Sequence, residues 1–151
     1  GELVWNFRKA RTPSSWSHAL RLDYRLSEND DAADHIGLHY TAQKSLSQRW
    51  KFTGVLLSNY QVGSKSADGT ALETRMSLAY ALADGSTLSL ESFNAYGRTG
   101  NNGDFDDQNH RIGPALSGKV TSSVSFFAGA LFGISDAAPH ADYRLWLTKA
   151  F

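Results

Sequence analysis

Residues 72–82 read LETRMSLAYAL, and this stretch decides the fold. Its even positions carry the large apolar side chains of Leu72, Met76, Leu78 and Tyr80, whereas its odd positions are charged or small. Successive side chains of a β-strand point to opposite faces of a sheet. The period of two therefore predicts a strand with one apolar face.

The same alternation recurs along the chain and predicts an all-β, antiparallel fold. Seven further segments bring the expected number of strands to eight between about residue 15 and residue 151. They are residues 16–26, 36–43, 50–60, 87–98, 111–120, 124–134 and 143–151. The least regular is 87–98, because Leu88 and Leu90 fit one face while Phe93 and Ala95 fit the other, which suggests a β-bulge.

Connection lengths indicate which kind of β-fold this is, because short and long connections alternate. The short ones are residues 46–49, 83–86 and 119–122, and the long ones are residues 27–34, 62–70, 97–109 and 135–142. Short turns on one side and longer loops on the other are typical of transmembrane β-barrels. We therefore expect a barrel in a bacterial outer membrane, with extracellular loops and a periplasmic C-terminus.

Aromatic side chains support the membrane interpretation. They fall on the predicted outward face, mostly near strand ends, where amphipathic rings suit the headgroup region. They are Trp16, Tyr24, Tyr40, Trp50, Tyr60, Tyr80, Tyr143 and Phe151.

The first residues add a further alternating segment, with Leu3, Trp5 and Phe7 on one face. Residues 1–14 are thus either a periplasmic extension or an extra strand, and residues 15–151 form the barrel. Single-chain bacterial barrels have even strand numbers. An extension would leave an eight-stranded barrel, whereas an extra strand would make the chain the C-terminal part of a larger one.

Composition excludes several other classes of protein. No run approaches the roughly 18 apolar residues of a membrane-spanning helix. The formal net charge is zero and the Lys and Arg residues are scattered, so no nucleic-acid partner is expected. Cysteine is absent, which removes disulfides, thiolate metal sites and cysteine nucleophiles. We predict no cofactor.

The last strand resembles the closing strand of bacterial outer-membrane β-barrel proteins, which typically ends in Phe after apolar residues at every second position. Tyr143, Leu145, Leu147 and Phe151 match that assembly signal, while Lys149 departs from it. Residues 129–151 are also similar to a broad barrel family named for meta-pathway phenol degradation and associated with transport. The resemblance implies outer-membrane lipids, lipopolysaccharide and the barrel-assembly machinery as partners.

Polar residues on the opposite face are predicted to line the inside of the barrel. They are Arg21, Asp23, Arg25, His39, Lys51, Glu73, Arg75, Glu91, Arg111, Lys119 and Arg144. About eight strands leave an interior filled by side chains, where these residues would form a packed ion-pair network. A wider barrel would instead have a water-filled lumen whose cationic excess favours anionic solutes.

The long loops are acidic, and clustered carboxylates are ligands that Ca²⁺ and Mg²⁺ prefer. Their acidic residues are Glu28, Asp30, Asp31, Asp34, Asp68, Asp104, Asp106, Asp107, Asp136 and Asp142. The spacing in residues 101–109 lacks a full calcium-loop pattern, so solvated loops are the preferred interpretation and no metal site is predicted.

The leading functional prediction is a non-enzymatic barrel that acts as a passive channel for small solutes or as a membrane scaffold. One alternative is hydrolysis of lipid A or phospholipid at the outer rim, where His35 and His110 lie near Ser58 and Asn59 in predicted depth. Another is a structural subunit that holds an envelope protein partner. No residue is predicted to be catalytic.

Overall fold

In the part of the chain that the structure describes, nine β-strands form one antiparallel sheet, in which each strand pairs with the next along the chain. The computed structural model describes residues 1–9, 12, 15–27, 33–63 and 65–150. The strands are β1 Glu2–Arg8, β2 Trp16–Arg25, β3 Asp34–Ser45, β4 Trp50–Val62, β5 Thr70–Ala81, β6 Thr87–Arg98, β7 Asn109–Lys119, β8 Val124–Gly133 and β9 Ala141–Lys149. A 3₁₀ turn, Phe105–Asp107, lies between β6 and β7.

This architecture confirms the all-β, antiparallel fold and its eight predicted strands. The strand-like N-terminal segment is the additional strand β1, in which Leu3 pairs with Leu22 and Val4 with Arg21. Within the described residues, β1 and β9 are the two edges of the sheet, which is not closed. No helix in this part of the chain is long and apolar enough to cross a bilayer.

The sheet curls, so that one face is concave. Thr53 of β4 and Trp146 of β9 line the same cleft, although four strands separate β4 from β9. In the same way, Val4 of β1 and Arg75 of β5 line another cleft, although three strands separate them. Side chains of such distant strands can line one cleft only if the sheet bends toward them. The face that carries these side chains is therefore the concave face.

The connections follow the predicted alternation from β2 onward. Residues 46–49, 82–86 and 120–123 join strands at one end of the sheet, which we call the short-turn end. Residues 26–33, 63–69, 99–108 and 134–140 join them at the other, the long-loop end.

The irregularity of β6 has a different position from the one that its sequence suggests. The pairing of β5 with β6 keeps one register from Ala81–Thr87 to Glu73–Ala95 and shifts only before Ala71–Arg98. The extra residue is accommodated at Gly97, whose φ of 84° is readily available only to glycine. The middle of β6 looks untidy because Phe93 lies on the concave face, where the other strands are mostly polar.

Burial is unusual for a water-soluble protein, although the apolar Leu57 and Leu131 are also buried on the concave face. Asp23 and His39 are buried, at 7% and 5% exposure, whereas Leu38, Leu56 and Leu90 on the convex face are 50%, 45% and 51% exposed. Large apolar side chains normally leave water, and a contiguous exposed patch of them marks a surface that contacts lipid or another protein. The exposed apolar side chains of the convex face therefore mark it as a surface that contacts lipid or another protein.

Candidate functional site on the concave face

A charged cluster around a buried carboxylate lies toward the long-loop end of the concave face. It consists of Arg21, Asp23 and Arg25 on β2 and His39 on β3, and we call it the Asp23 cluster. The Asp23 carboxylate lies 3.7 Å from Arg21 Nε, 3.8 Å from Arg25 Nε and 3.6 Å from His39 Nε2. A buried carboxylate is costly unless cations or donors surround it, so these neighbours stabilise Asp23.

The sequence makes room for this carboxylate by placing a glycine opposite it. Gly37 is the direct cross-strand partner of Asp23. A Cβ atom at this position would lie only 2.6 Å from Asp23 Oδ2. The missing side chain lets the carboxylate lie flat over β3, within reach of His39.

The His39 ring lies between Arg21 and Asp23 and turns one ring nitrogen toward each. Arg21 Nε donates to His39 Nδ1 at 2.9 Å, so Nδ1 carries no proton. In the neutral ring the proton is then on Nε2, which faces Asp23 Oδ2. Neither His39 Nε2 nor Asp23 Oδ2 has a hydrogen-bond partner, although both atoms are buried.

The cleft above the Asp23 cluster is rich in cations. Its volume is about 420 Å³, and its wall includes four arginines but only two carboxylates, those of Asp23 and Glu73. The arginines are Arg21, Arg25, Arg75 and Arg98. Guanidinium groups bind carboxylate and phosphate oxygens through paired N–H donors, so the cleft suits an anion.

A second charged group lies nearer the other edge of the sheet, where Arg144 of β9 reaches Glu91 of β6. Arg144 Nη2 lies 2.6 Å from Glu91 Oε2, and both side chains are 13% exposed. The guanidinium also packs over the rings of Phe93 and Phe127, at 4.9 Å and 5.2 Å from their centroids. Cations are attracted to the faces of aromatic rings, so both rings add to the ion pair.

Small residues on β7 and β8 allow this contact across two strands. Gly113 is paired with Glu91, and Gly129 is paired with both Ala115 and Arg144. A Cβ atom at Gly129 would lie 3.3 Å from Arg144 Nη2. The arginine can therefore extend over the intervening strands without meeting a bulky side chain.

Aromatic rings line a second cleft of about 430 Å³ beside this ion pair. Phe127 and Trp146 stack with centroids 4.4 Å apart and planes 5° from parallel, and Phe93 lies under both Arg144 and Arg75. The sequence prediction omitted these three rings. The signal was available in the strand period, because Phe93 lies two residues from Glu91 and Trp146 lies two residues from Arg144, which places each ring on the face of a predicted inward residue. Phe127 is paired with Trp146 and lies on the same face.

The other predicted inward residues lie on the same face but do not join one network. Arg111 forms a separate ion pair with Asp142 at 3.1 Å. Glu73 contacts Arg75 at 3.4 Å. Lys51 and Lys119 are exposed near the short-turn end, paired with Ala79 and Ser125. That all eleven line a lumen stays a prediction.

The residues of the predicted rim site do not come together. His35 and Asn59 line the cleft of the Asp23 cluster on the concave face, whereas His110 lies on the convex face with Ile112. The Ser58 hydroxyl donates to the Leu38 carbonyl oxygen at 2.8 Å.

His110 instead belongs to a polar network at the long-loop end of the convex face. Its Nδ1 lies 3.0 Å from Asn94 Oδ1 and its Nε2 lies 2.9 Å from Gln108 Oε1. Phe105 stacks on the ring at 4.5 Å. Both ring nitrogens thus face amides, and the contacts attach the loop of residues 99–108 to β6 and β7.

Two of the acidic residues predicted for the long loops, Asp34 and Asp107, accept local hydrogen bonds. Asp34 accepts from the Ser27 amide and the Tyr24 hydroxyl, and the Asp107 carboxylate accepts from the Asp104 amide. In the described part of the chain, no three His, Asp or Glu side chains converge into a group that could hold a metal ion. Glu28, Asp30 and Asp31 lie outside the described residues.

The C-terminal strand presents its predicted assembly residues outward. Tyr143, Leu145 and Leu147 are 78%, 74% and 69% exposed on β9. Phe151, the last residue of the proposed signal, lies outside the described residues. The signal as a whole stays a prediction.

A curled antiparallel sheet that encloses ion pairs and turns apolar side chains outward defines the class: an all-β protein with an open-barrel type of fold. Residues 3–141 match the family described as "Putative MetA-pathway of phenol degradation". Since the match covers most of the chain, the protein belongs to that family, and the resemblance of the C-terminal stretch is confirmed. No curated protein and no solved structure matches the chain.

Proposed function

We propose that this chain forms the wall of a bacterial outer-membrane β-barrel that passes small solutes and performs no catalysis itself. The main evidence is the pattern of burial: leucines are exposed on the convex face, whereas Asp23 and His39 are buried on the concave face. A lipid-facing band of apolar residues around a polar interior is typical of such barrels. The convex face would contact lipid and lipopolysaccharide, and β9 would present its apolar residues to the assembly machinery.

The concave face supports the choice of solute. The Asp23 cleft has more arginines than carboxylates, and the neighbouring cleft adds Phe93, Phe127 and Trp146. Arginines attract anions, and flat rings stack with aromatic molecules. The family description names phenol degradation. Together these features favour small aromatic solutes, especially those that carry a negative charge.

Ion conduction tests the proposal directly. The purified chain, reconstituted in a planar bilayer, should open channels, and a tenfold KCl gradient should give a reversal potential that indicates anion preference. Arg75 lines three clefts of the concave face. Arg75→Gln should therefore move the reversal potential toward zero, because it removes a fixed positive charge from the proposed lumen.

Lys44→Gln is the matched control, because it removes one positive charge from the convex face, where Lys44 lies over the Trp16 ring. Its reversal potential should equal that of the unmodified chain. Absence of channel openings at every voltage and salt concentration would contradict the proposal that the barrel passes solutes. Preference for cations would contradict the role assigned to the arginines.

A further inference from the structure

Beyond conduction, the convex face has a groove whose lining is almost entirely apolar and which lies at the short-turn end. Its volume is about 310 Å³, and its walls come from four neighbouring strands, β4 to β7. The lining residues are Trp50, Leu78, Tyr80, Leu88, Ser89, Leu90 and Pro114. Trp50 and Tyr80 stand at its short-turn end with ring centroids 4.8 Å apart.

A cation is fixed at the mouth of this groove. Arg49 Nη1 donates to the Tyr80 hydroxyl at 3.1 Å. The backbone of Arg49 is also held, since its carbonyl accepts from the Ala81 amide at 2.9 Å and its amide donates to Ser47 Oγ. The guanidinium is charged at physiological pH, as arginine ordinarily is, and the hydrogen bond with Tyr80 raises the pKa of Arg49 further.

Arg49 has no acidic partner among the described residues, in which no carboxylate lies within ion-pair distance of it. The distribution of acids along the sheet axis explains this. The three short connections contain one carboxylate, Asp84, whereas the four long connections contain eight. These are Glu28, Asp30, Asp31, Asp68, Asp104, Asp106, Asp107 and Asp136. The short-turn end therefore complements a negatively charged headgroup.

We infer that this groove and Arg49 form a binding site for an anionic glycerophospholipid, with the phosphate on the guanidinium and one acyl chain along the groove. The groove supplies apolar surface for the chain, and the two rings frame the boundary between chain and headgroup. A net-negative headgroup is favoured over a zwitterionic one, because no described carboxylate stands beside Arg49 to receive a headgroup ammonium. The inference rests on the proposed membrane location.

Tryptophan quenching tests the site, because Trp50 lines the groove. The variant Trp5→Phe/Trp16→Phe/Trp146→Phe keeps Trp50 as its single tryptophan. It is reconstituted in phosphatidylcholine vesicles that contain either dibrominated phosphatidylglycerol or dibrominated phosphatidylcholine at equal mole fraction. The anionic lipid should associate about fivefold more strongly with the Trp50 site, the effect expected of one cation at an anionic headgroup.

Two substitutions in that background locate the preference. Arg49→Gln should reduce the preference for the anionic lipid to about onefold, so that both lipids quench equally. Arg49→Lys should keep most of this preference, because the positive charge remains. Lys65→Gln removes an equal charge from the long-loop connection 63–69 and should leave the preference unchanged. Circular dichroism of each variant checks that the strands have formed.

The outcomes separate the site from the membrane proposal. Equal quenching by the two brominated lipids would overturn the site while the chain remains in the bilayer. A preference that survives Arg49→Gln, or that Lys65→Gln also abolishes, would overturn the role of Arg49. Absence of quenching by either lipid would overturn the membrane location itself, and the site with it.

Discussion

Leu56→Arg is expected to cost about 2–4 kcal/mol of folding free energy in a lipid bilayer. Leu56 lies in the middle of β4 on the convex face and is 45% exposed. In the proposed orientation that position is close to the bilayer midplane, where a guanidinium would lose its hydration. Urea unfolding in phosphatidylcholine vesicles, followed by tryptophan emission, measures the loss.

The same change on the concave face should have a much smaller effect. Ser77→Arg places a guanidinium in the aromatic cleft, at the residue paired with Glu91. Ser77 is partly exposed and faces the cleft, where the long arginine side chain can keep its charged end in water, so the loss should stay below the loss of about 2–4 kcal/mol expected for Leu56→Arg. Equal small losses for Leu56→Arg and Ser77→Arg would mean that water, and not lipid, covers the convex face.

Arg144→Met is expected to destabilise the fold by about 3–5 kcal/mol, because it leaves the Glu91 carboxylate buried without its cation. The two side chains are each 13% exposed and lie 2.6 Å apart. The substitution also removes the guanidinium from the faces of Phe93 and Phe127. The free energy of unfolding in urea gives the loss, and Arg144→Met/Glu91→Gln should lose less than the sum of the single variants.

Arg25→Met is the matched control for this ion pair. Arg25 lies 3.8 Å from Asp23 but its side chain is 75% exposed, so the loss should be no more than about 1 kcal/mol. A similar loss for Arg25→Met and Arg144→Met would show that burial adds nothing to the Arg144–Glu91 pair.

The strands could be predicted because their signal is local. A period of two needs only the order of residues, and strands such as β5 keep it from end to end. The extra strand β1 was visible in the same way, through Leu3, Trp5 and Phe7. The short connections then favoured pairing between strands that are neighbours in sequence, which is the order that the sheet has.

Faces could be predicted better than contacts. The period of two places Asp23 and His39 on the same face of the sheet. It also separates His35 from His110, because Ile36 and Ile112 mark the outward positions of β3 and β7. The two histidines lie at a similar depth along their strands but on opposite faces of the sheet, so they cannot belong to one rim site.

Contacts between distant strands were beyond the sequence. Arg144 and Glu91 are 53 residues apart, and their meeting depends on the curl of the sheet and on the small side chains of Gly113, Ala115 and Gly129 between them. The same holds for Arg49, which looks like an ordinary turn residue until its hydrogen bond to Tyr80 places it at the groove. Curvature is a property of the whole sheet, and no single segment encodes it.

The central claim is that the convex face meets lipid and the concave face meets water. The chain contains no cysteine, so single cysteines at positions 73–79 can each carry a nitroxide spin label without background. In vesicles, collision rates with oxygen should be highest at positions 74, 76 and 78, and those with a water-soluble nickel complex at 73, 75, 77 and 79. Collision rates that rise and fall together, or that show no period of two, would contradict the account.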